Sequence, residues 1–246
     1  LQTEVSRLID MTFRVYKDFG FSNISVALSL RPEKRVGSDE LWNKAEHALE
    51  RTLKDKELSY KVQPGEGAFY GPKIEFSLWD SIGRVWQCGT IQVDFSMPER
   101  LGANFIDSNS QKRVPVMVHR AIVGSMERFI GILIEEYAGK LPVWLSPVQA
   151  VVSGVTSKHE DYVKEVSKLV GKAGIRVQSD LRNEKIGFKI RDHTMHKIPY
   201  LLVVGDREIE ENCVSVRYRS SSNLDSMSVE EFISTVQKQI ISRSLA

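Results

Sequence analysis

The sequence has 246 residues, 41% of them hydrophobic and 27% charged, and its formal net charge at pH 7 is +2. This composition excludes fibrous and disordered proteins, and without a run of roughly 20 apolar residues or a signal-peptide core we expect a cytoplasmic location. Because the net charge is so small, any contact with nucleic acid must come from local patches.

The first half of the chain predicts helices that flank a group of strands. Apolar stripes predict one helix that ends at Gly20 and another that begins at Ser38, with a strand over 24–30 between them. Alternating residues then predict strands over 74–78, 91–95 and 114–118, a hairpin turn over 80–84, and a helix over 121–138. Antiparallel strands followed by a helix indicate an α+β domain.

The second half alternates strands and helices. A segment with a glycine, two prolines and Trp144, residues 139–147, predicts the boundary. Beyond it we predict strands over 148–155, 175–177, 200–204 and 213–218, and helices over 162–170, 184–196 and 229–241. This order indicates a small α/β domain with a mixed sheet. We therefore expect two domains, 1–142 and 143–246. Since the chain begins at Leu1 inside a helical pattern, we also expect it to be part of a longer protein.

Three glycines and a proline precede the strand at 74–78, in the segment Gly65–Phe76. Glycine lets a backbone approach a ligand closely or adopt positive φ, and Tyr70 and Lys73 would project at the mouth of the strand. The alternative is a turn with an exposed aromatic ring.

The strand around residues 86–94 carries a row of small polar groups. On period 2 one face is formed by Cys88, Thr90, Gln92 and Asp94. Ile91 and Val93 occupy the opposite, core-facing side. The row suits hydrogen bonding to a ligand, although solvent-facing strands also carry such rows.

The segment 116–129 carries the most chemical information. On a continuous helix, one stripe contains Ala121, Gly124, Ser125 and Arg128. Glycine inside a helix costs about 1 kcal/mol relative to alanine, so Gly124 suggests that something approaches closely. Arg128 suits a phosphate, which a guanidinium holds with two parallel hydrogen bonds. The alternative is helix packing over Gly124. His119 stands just before this helix, and a lone histidine is usually structural.

Basic residues exceed acidic ones by seven to three in segment 172–197. Lys185, Lys189 and His193 recur at i, i+4 and i+8 on one predicted helix face. A second cluster, Arg217-Tyr-Arg219, pairs cations with an aromatic ring, which suits unstacked RNA bases and phosphates. A solvated basic face is the alternative.

Several long segments resemble the threonyl-tRNA synthetase family of class II aminoacyl-tRNA synthetases. They are 31–39 (RPEKRVGSD), 67–75 (GAFYGPKIE), 86–90 (WQCGT), 118–121 (VHRA), 124–129 (GSMERF) and 180–191 (DLRNEKIGFKIR). The resemblance implies the C-terminal part of a class II α+β catalytic domain, built on an antiparallel sheet, and then an α/β anticodon-binding domain. The implied reaction is ATP-dependent attachment of threonine to its tRNA through threonyl-adenylate.

The resemblance also assigns roles to individual residues, with Arg128 on the γ-phosphate of ATP as the catalytic residue. It implies that Gln87, Thr90 and Arg128 bind ATP, and that Tyr70, Gln92 and Ser125 bind threonine, with Lys73 and Cys88 beside them. His119 would be one zinc ligand. Anticodon bases would be contacted by Asn183, Glu208 and Arg217, with Lys185 and Arg207 as neighbours.

The implied cofactors are one Zn²⁺ per subunit, with its other ligands upstream of this chain, and Mg²⁺ with ATP. The implied partners are ATP, threonine, tRNA(Thr) and, in the full-length protein, a second subunit. Without the upstream part we expect the chain to be inactive alone. The alternative function is a non-catalytic synthetase-like RNA-binding module, but Gln92, His119 and Arg128 argue against it because an RNA binder does not need an ATP clamp.

Overall fold

A computed structural model describes residues 1–221 and 223–245, and the chain divides into two compact units, Leu1–Glu136 and Tyr137–Ala246. Each unit contains a five-stranded sheet with helices packed against it. The predicted order, an α+β unit followed by an α/β unit with a mixed sheet, is confirmed. Within the described residues no helix combines the length and apolarity needed to cross a membrane.

The first unit is built around a sheet whose order is β2-β1-β3-β4-β7. Its elements are α1 (Gln2–Asp18), β1 (Ile24–Ser29), α2 (Asp39–Asp55), β2 (Lys61–Gln63), β3 (Lys73–Trp79), β4 (Val85–Asp94), α3 (Met97–Arg100), β5 (Phe105–Ile106), β6 (Lys112–Arg113), β7 (Met117–Ala121) and α4 (Met126–Glu136). The pair β3–β4 is antiparallel, as the predicted hairpin requires, and the pairs β1–β3 and β4–β7 are antiparallel as well. The short strand β2 adds a parallel pair with β1.

Helix α1 covers one face of this sheet because its apolar stripe matches the apolar side of β3 and β4. Val5, Ile9 and Tyr16 are buried, and the ring of Phe13 lies edge-on to Phe76 of β3, with 5.8 Å between ring centroids. The opposite face of β3 and β4 carries the polar residues described below.

The hairpin between β3 and β4 is fixed by a buried carboxylate. Asp80 accepts hydrogen bonds from the backbone N–H groups of Ile82 and Arg84, at 3.1 and 2.8 Å, and from Trp86 Nε1 at 2.8 Å. Asp80 therefore holds the turn and the start of β4 together, which explains why the predicted hairpin forms at residues 80–84.

The second unit has the sheet order β12-β11-β10-β8-β9. Its elements are β8 (Ala150–Gly154), α5 (Glu160–Lys172), β9 (Val177–Asp180), α6 (Ile186–Met195), β10 (Tyr200–Val204), α7 (Asp206–Glu210), β11 (Cys213–Tyr218), β12 (Leu224–Ser228) and α8 (Val229–Ser242). Helices α5 and α8 cover one sheet face. On the other face α6 covers Val151, Leu201 and Val203.

One predicted element differs in a way that matters for the site. The helix predicted to start at Ala121 begins at Met126, and Ala121 ends strand β7. Between them Gly124 has φ +68°, which does not occur in a right-handed helix. The predicted stripe of Ala121, Gly124, Ser125 and Arg128 on one continuous helix is therefore wrong, and these residues belong to a strand, a turn and a helix.

Candidate functional site

Two rows of polar side chains cross the open face of the first sheet. Strand register places Lys73, Gln92 and His119 side by side on β3, β4 and β7. The next row joins Glu75 and Thr90, followed by Ala121. Residues opposite one another in a sheet project from the same face. The three neighbouring strands β3, β4 and β7 thus bring Lys73, Thr90, Gln92 and His119 together.

Tyr70 lies beside the first row. Its hydroxyl donates a hydrogen bond of 3.1 Å to Gln92 Oε1, and its ring packs edge-on against His119, with centroids 5.7 Å apart. The chain reaches this position because Gly71 crosses β4 closely: a Cβ on Gly71 would lie 1.6 Å from the carbonyl oxygen of Val93. The glycine segment was predicted to let the backbone approach a ligand closely. At Gly71 the close approach is instead made to the protein's own backbone.

Glu75 connects two of the predicted ligand-binding residues. Its Oε1 accepts a hydrogen bond from Gln87 Nε2 at 2.9 Å, and the same oxygen forms an ion pair with Lys73. Glu75 was not among the predicted site residues, although it lies two residues after Lys73 and therefore on the same face of β3. That alternation was the signal that could have identified it.

A β-bulge interrupts the predicted polar row on β4. Phe76 is opposite Gly89 but Ser77 is opposite Gln87, so Cys88 is the extra residue in the ladder. Cys88 is buried, and burial raises the pKa of its thiol, while the Arg128 charge opposes that shift. Gln87 returns to the open face, whereas Cys88 lies behind it.

The turn between β7 and α4 sets the position of Arg128. A Cβ on Gly124 would lie 2.9 Å from the carbonyl oxygen of Cys88, so the turn packs directly against the bulge. Ser125 Oγ accepts a hydrogen bond from the backbone N–H of Arg128 at 3.3 Å and donates one of 2.8 Å to Glu127. The exposed guanidinium of Arg128 lies over the ring of Trp86, 5.5 Å from its centroid, where a cation–π contact helps to orient it.

His119 contacts a buried carboxylate at the end of β4. Its Nε2 lies 2.9 Å from Oδ2 of Asp94, whose side chain is 1% exposed, whereas that of His119 is 40% exposed. Burial raises the pKa of Asp94, but hydrogen bonds from Met97, His119 and Ser96 lower it by more than that. The pKa of Asp94 therefore lies below its usual range. The ring is thus fixed at one nitrogen and partly open to solvent, a geometry that fits one ligand of a metal ion. In residues 1–221 and 223–245 no group of three or more histidine, cysteine, aspartate or glutamate side chains could hold a metal.

In the second unit β11 lies beside β10, one of the strands that α6 covers. Register places Arg217 opposite Leu201 and Ser215 opposite Val203, so both project on the α6 side. Glu208 of α7 accepts a hydrogen bond of 2.8 Å from Ser215 Oγ and another of 2.8 Å from the backbone N–H of Gly205. Burial raises the pKa of Glu208, and these two bonds lower it to a net value below its usual range. A fixed, ionised carboxylate and Arg217 therefore share one surface.

The remaining predicted anticodon residues lie in the loop before α6 and on α7. Asn183 and Lys185 are exposed in the loop before α6, and Arg207 pairs with Glu211 at 3.4 Å. The loop is anchored by Asp180, which accepts two hydrogen bonds from the Arg182 guanidinium, at 3.0 and 2.7 Å.

The predicted basic stripe on α6 does not form a solvated face. Lys189 is buried, and its ammonium donates to the carbonyl oxygens of Gly154 and Asp180 at 3.4 and 3.3 Å. His193 Nε2 lies 2.7 Å from Asp180 Oδ2. Of the three predicted stripe residues, Lys185 alone remains exposed, because the other two lie on the side of α6 that packs against the sheet.

Two family models match the chain. Residues 1–137 match the tRNA synthetase class II core domain (G, H, P, S and T), and residues 149–239 match the anticodon binding domain. Threonine–tRNA ligases are among the similar sequences. That of Alkalilimnicola ehrlichii is 58% identical over 98% of this chain and 37% of its own length. That of Methylococcus capsulatus is 56% identical over 100% of this chain and 39% of its own length.

Solved structures agree with these matches. The RNA binding domain of threonyl-tRNA synthetase from Cryptosporidium parvum Iowa II superposes with a TM-score of 0.92 at 36% identity, covering 100% of this chain and 61% of that one. Prolyl-tRNA synthetase from Cryptosporidium parvum, in complex with L-proline and AMP, superposes with a TM-score of 0.61 over 98% of this chain and 46% of its own. At 19% identity the second likeness shows the fold alone. The chain spans less than two fifths of the length of the ligases it matches.

Proposed function

Because the chain belongs to the class II aminoacyl-tRNA synthetase family, with threonine–tRNA ligases as its homologues, we propose that it supplies part of the catalytic site and the anticodon reader of a threonine–tRNA ligase. The observation that carries this proposal is the row of Lys73, Gln92 and His119 on the open sheet face. Side chains from three strands converge there, beside Tyr70. We place the two domains at 1–142 and 143–246.

In the proposed reaction the carboxylate of threonine attacks the α-phosphate of ATP, giving threonyl-adenylate and pyrophosphate. The terminal adenosine of tRNA(Thr) then takes the threonyl group. Such a reaction depends mainly on positioning and on neutralising charge. Arg128 is the catalytic residue, since its guanidinium over Trp86 can neutralise the γ-phosphate. Gln87 and Thr90 complete the ATP site, and Mg²⁺ would accompany the nucleotide.

Threonine would bind beside the row. Gln92 and the hydroxyl of Tyr70 already form a hydrogen-bonded pair that can accept and donate to the amino acid. Lys73 supplies positive charge next to it, and Ser125 lies at the turn that precedes Arg128. Cys88 would support the threonine site from behind the polar sheet face, since its side chain is buried.

His119 would be one of the ligands of a zinc ion, the others being upstream residues of the longer protein. When bound, the zinc would accept the amino group and hydroxyl of threonine, which disfavours valine because valine has no hydroxyl. In this chain the contribution of His119 is a ring fixed at Nε2 by Asp94.

In the second unit we propose that Asn183, Glu208 and Arg217 contact anticodon bases, with Lys185 and Arg207 beside them. A fixed carboxylate and a guanidinium suit the edges of unstacked RNA bases. The whole protein would act as a cytoplasmic homodimer.

Threonine-dependent exchange of pyrophosphate into ATP, measured on the full-length protein, tests this function. We expect exchange in the wild type. Arg128→Ala should lower the exchange rate by roughly 100-fold or more, which is the usual effect of removing a group that stabilises transition-state charge. The affinity for tRNA should change less than about threefold, because Arg128 is not proposed to contact tRNA. Equal losses of exchange and tRNA affinity would contradict the role of Arg128. Absence of exchange in the wild type, with tRNA binding intact, would favour a non-catalytic RNA-binding module instead.

A further inference from the structure

The contact between Asp94 and His119 repeats a local architecture found at two other aspartates in the first unit. At Asp80, Asp94 and Asp107, Oδ1 accepts two backbone N–H groups from the residues that follow, while Oδ2 contacts a side-chain donor. That donor is Arg84 together with Trp86 at Asp80, and Arg113 at Asp107. At Asp94 it is an imidazole in the candidate site.

We propose that Asp94 is a positioning residue that holds the proton of His119 on Nε2, so that Nδ1 presents its lone pair to the metal. The inference rests on the proposed function, since it takes His119 as a zinc ligand. It adds a second residue of this chain to the zinc site, one that would not touch the metal.

The direction of the hydrogen bond follows from the surroundings of Asp94. Its carboxylate is buried and accepts from the backbone N–H groups of Ser96 and Met97 at 2.8 and 3.0 Å, and from Ser96 Oγ at 3.2 Å. These donors favour the ionised form, and an ionised carboxylate can only accept. His119 Nε2 must therefore carry the proton, and a neutral ring then has its lone pair on Nδ1.

The rest of the ring's surroundings restrict its rotation. The edge-on contact with Tyr70 limits rotation of the imidazole plane, and Tyr70 is itself held by Gln92. Since metal-ligating histidines depend on such partners for orientation, their loss typically weakens metal affinity roughly 10- to 100-fold.

Asp94→Asn tests the proposal in the full-length protein. Asparagine keeps an oxygen for the N–H groups of Ser96 and Met97, so the turn should survive. Its amide N–H₂ would face the Nε2–H of His119, which favours the other tautomer and leaves Nδ1 protonated. We expect zinc affinity, measured by competition with a chromogenic chelator, to fall roughly 10- to 100-fold, and bound zinc after dialysis to fall with it.

Three further proteins complete the experiment. His119→Ala should lose zinc more completely than Asp94→Asn. Asp107→Asn, which removes the same type of carboxylate from the β5–β6 hairpin, should bind zinc like the wild type. Asp94→Ser, whose shorter side chain can cap the turn but cannot reach His119, should resemble Asp94→Asn and serves if the asparagine variant does not fold.

The outcomes separate the two ideas. Wild-type affinity in Asp94→Asn or Asp94→Ser, together with zinc loss in His119→Ala, would overturn the positioning role and leave His119 as a ligand. Wild-type zinc binding in His119→Ala, or no zinc binding by the wild type, would overturn the zinc site of the proposed function and this inference with it.

Discussion

The carboxylate of Glu75 accepts a hydrogen bond from the side-chain amide of Gln87 across β3 and β4, with 2.9 Å between Oε1 and Nε2. The same oxygen pairs with Lys73. One carboxylate therefore positions a residue proposed to contact ATP and another proposed to contact threonine. Such coupling predicts that a single substitution will weaken both substrate sites.

In Glu75→Gln the charge that holds Lys73 is removed while the size of the side chain is kept. Hydrogen bonds to charged groups contribute about 1.5–3 kcal/mol, so kcat/KM for pyrophosphate exchange should fall roughly 10- to 150-fold, with KM rising for both ATP and threonine. Glu50→Gln is the matched control, because Glu50 also pairs with a lysine, Lys54, and accepts from Tyr60. A rise in KM for only one substrate would contradict the shared role.

Alanine substitutions at Gly124 and Gly131, which are seven residues apart, should change the stability of the fold in opposite directions. Gly124 has φ +68°, and an added Cβ would meet the Cys88 carbonyl oxygen at 2.9 Å. Gly131 lies inside α4, where an added Cβ would point into open space beyond the helix's own backbone. Gly124→Ala should lower the free energy of unfolding by about 1–3 kcal/mol, whereas Gly131→Ala should raise it by up to about 1 kcal/mol. Urea denaturation of both variants provides the measurement, and stabilisation by Gly124→Ala would contradict the observed turn.

The same turn shows why the sequence pattern predicted one continuous helix where the structure has a strand, a turn and a helix. Helical spacing from Ala121 through Arg128 fits an uninterrupted helix, since periodicity does not register a single residue with positive φ. The position of Gly124 is determined by its close approach to Cys88, a contact between segments more than thirty residues apart. Local pattern cannot report such a contact.

On β4 the sequence pattern failed at one residue. Period 2 placed Cys88 beside Thr90 and Gln92, but the bulge between Phe76 and Ser77 of the partner strand shifts the register there. Elements with a distinct apolar pattern, such as β10, β11 and α8, were predicted closely. The short elements α3, β5, β6, α7 and β12 show no such pattern and were not predicted.

Acid should destabilise the chain partly through Asp180. Burial raises the pKa of this carboxyl, but hydrogen bonds from Arg182 and His193 lower it more, so the folded pKa lies below the usual value. A depressed folded pKa means that the stabilisation is present above the unfolded pKa of about 3.9 and is lost as pH falls from there toward the folded pKa. The groups that face it are Arg182 and His193, with Asp192 sharing Arg182 and Lys189 on its main-chain oxygen.

Asp180→Asn should therefore lower the free energy of unfolding by on the order of 2 kcal/mol at pH 7, the contribution of hydrogen bonds to a charged group, and by less at pH 2. Urea denaturation at the two pH values gives the comparison. Asp225→Asn, at an exposed position on β12, is the control and should change neither value appreciably. An Asp180→Asn deficit that is as large at pH 2 as at pH 7 would mean that the ionised carboxylate is not the source.

Arg217 and Lys238 are cations placed on opposite faces of the second sheet. Arg217 projects on the α6 face near Glu208 and Ser215, whereas exposed Lys238 belongs to α8, which packs on the other face. If Arg217 reads an anticodon base, Arg217→Ala should weaken binding of tRNA(Thr) by about 1–3 kcal/mol, or roughly 5- to 150-fold. The discrimination against a tRNA with an altered anticodon should fall by a similar factor, while threonine-dependent pyrophosphate exchange without tRNA stays unchanged. Filter binding with both tRNAs, over a range of salt concentrations, provides the measurement.

Lys238→Ala should bind both tRNAs as the wild type does, because the Lys238 side chain lies away from the proposed surface. Equal weakening of both tRNAs by Arg217→Ala, together with a smaller salt slope, would identify a phosphate contact instead of base reading.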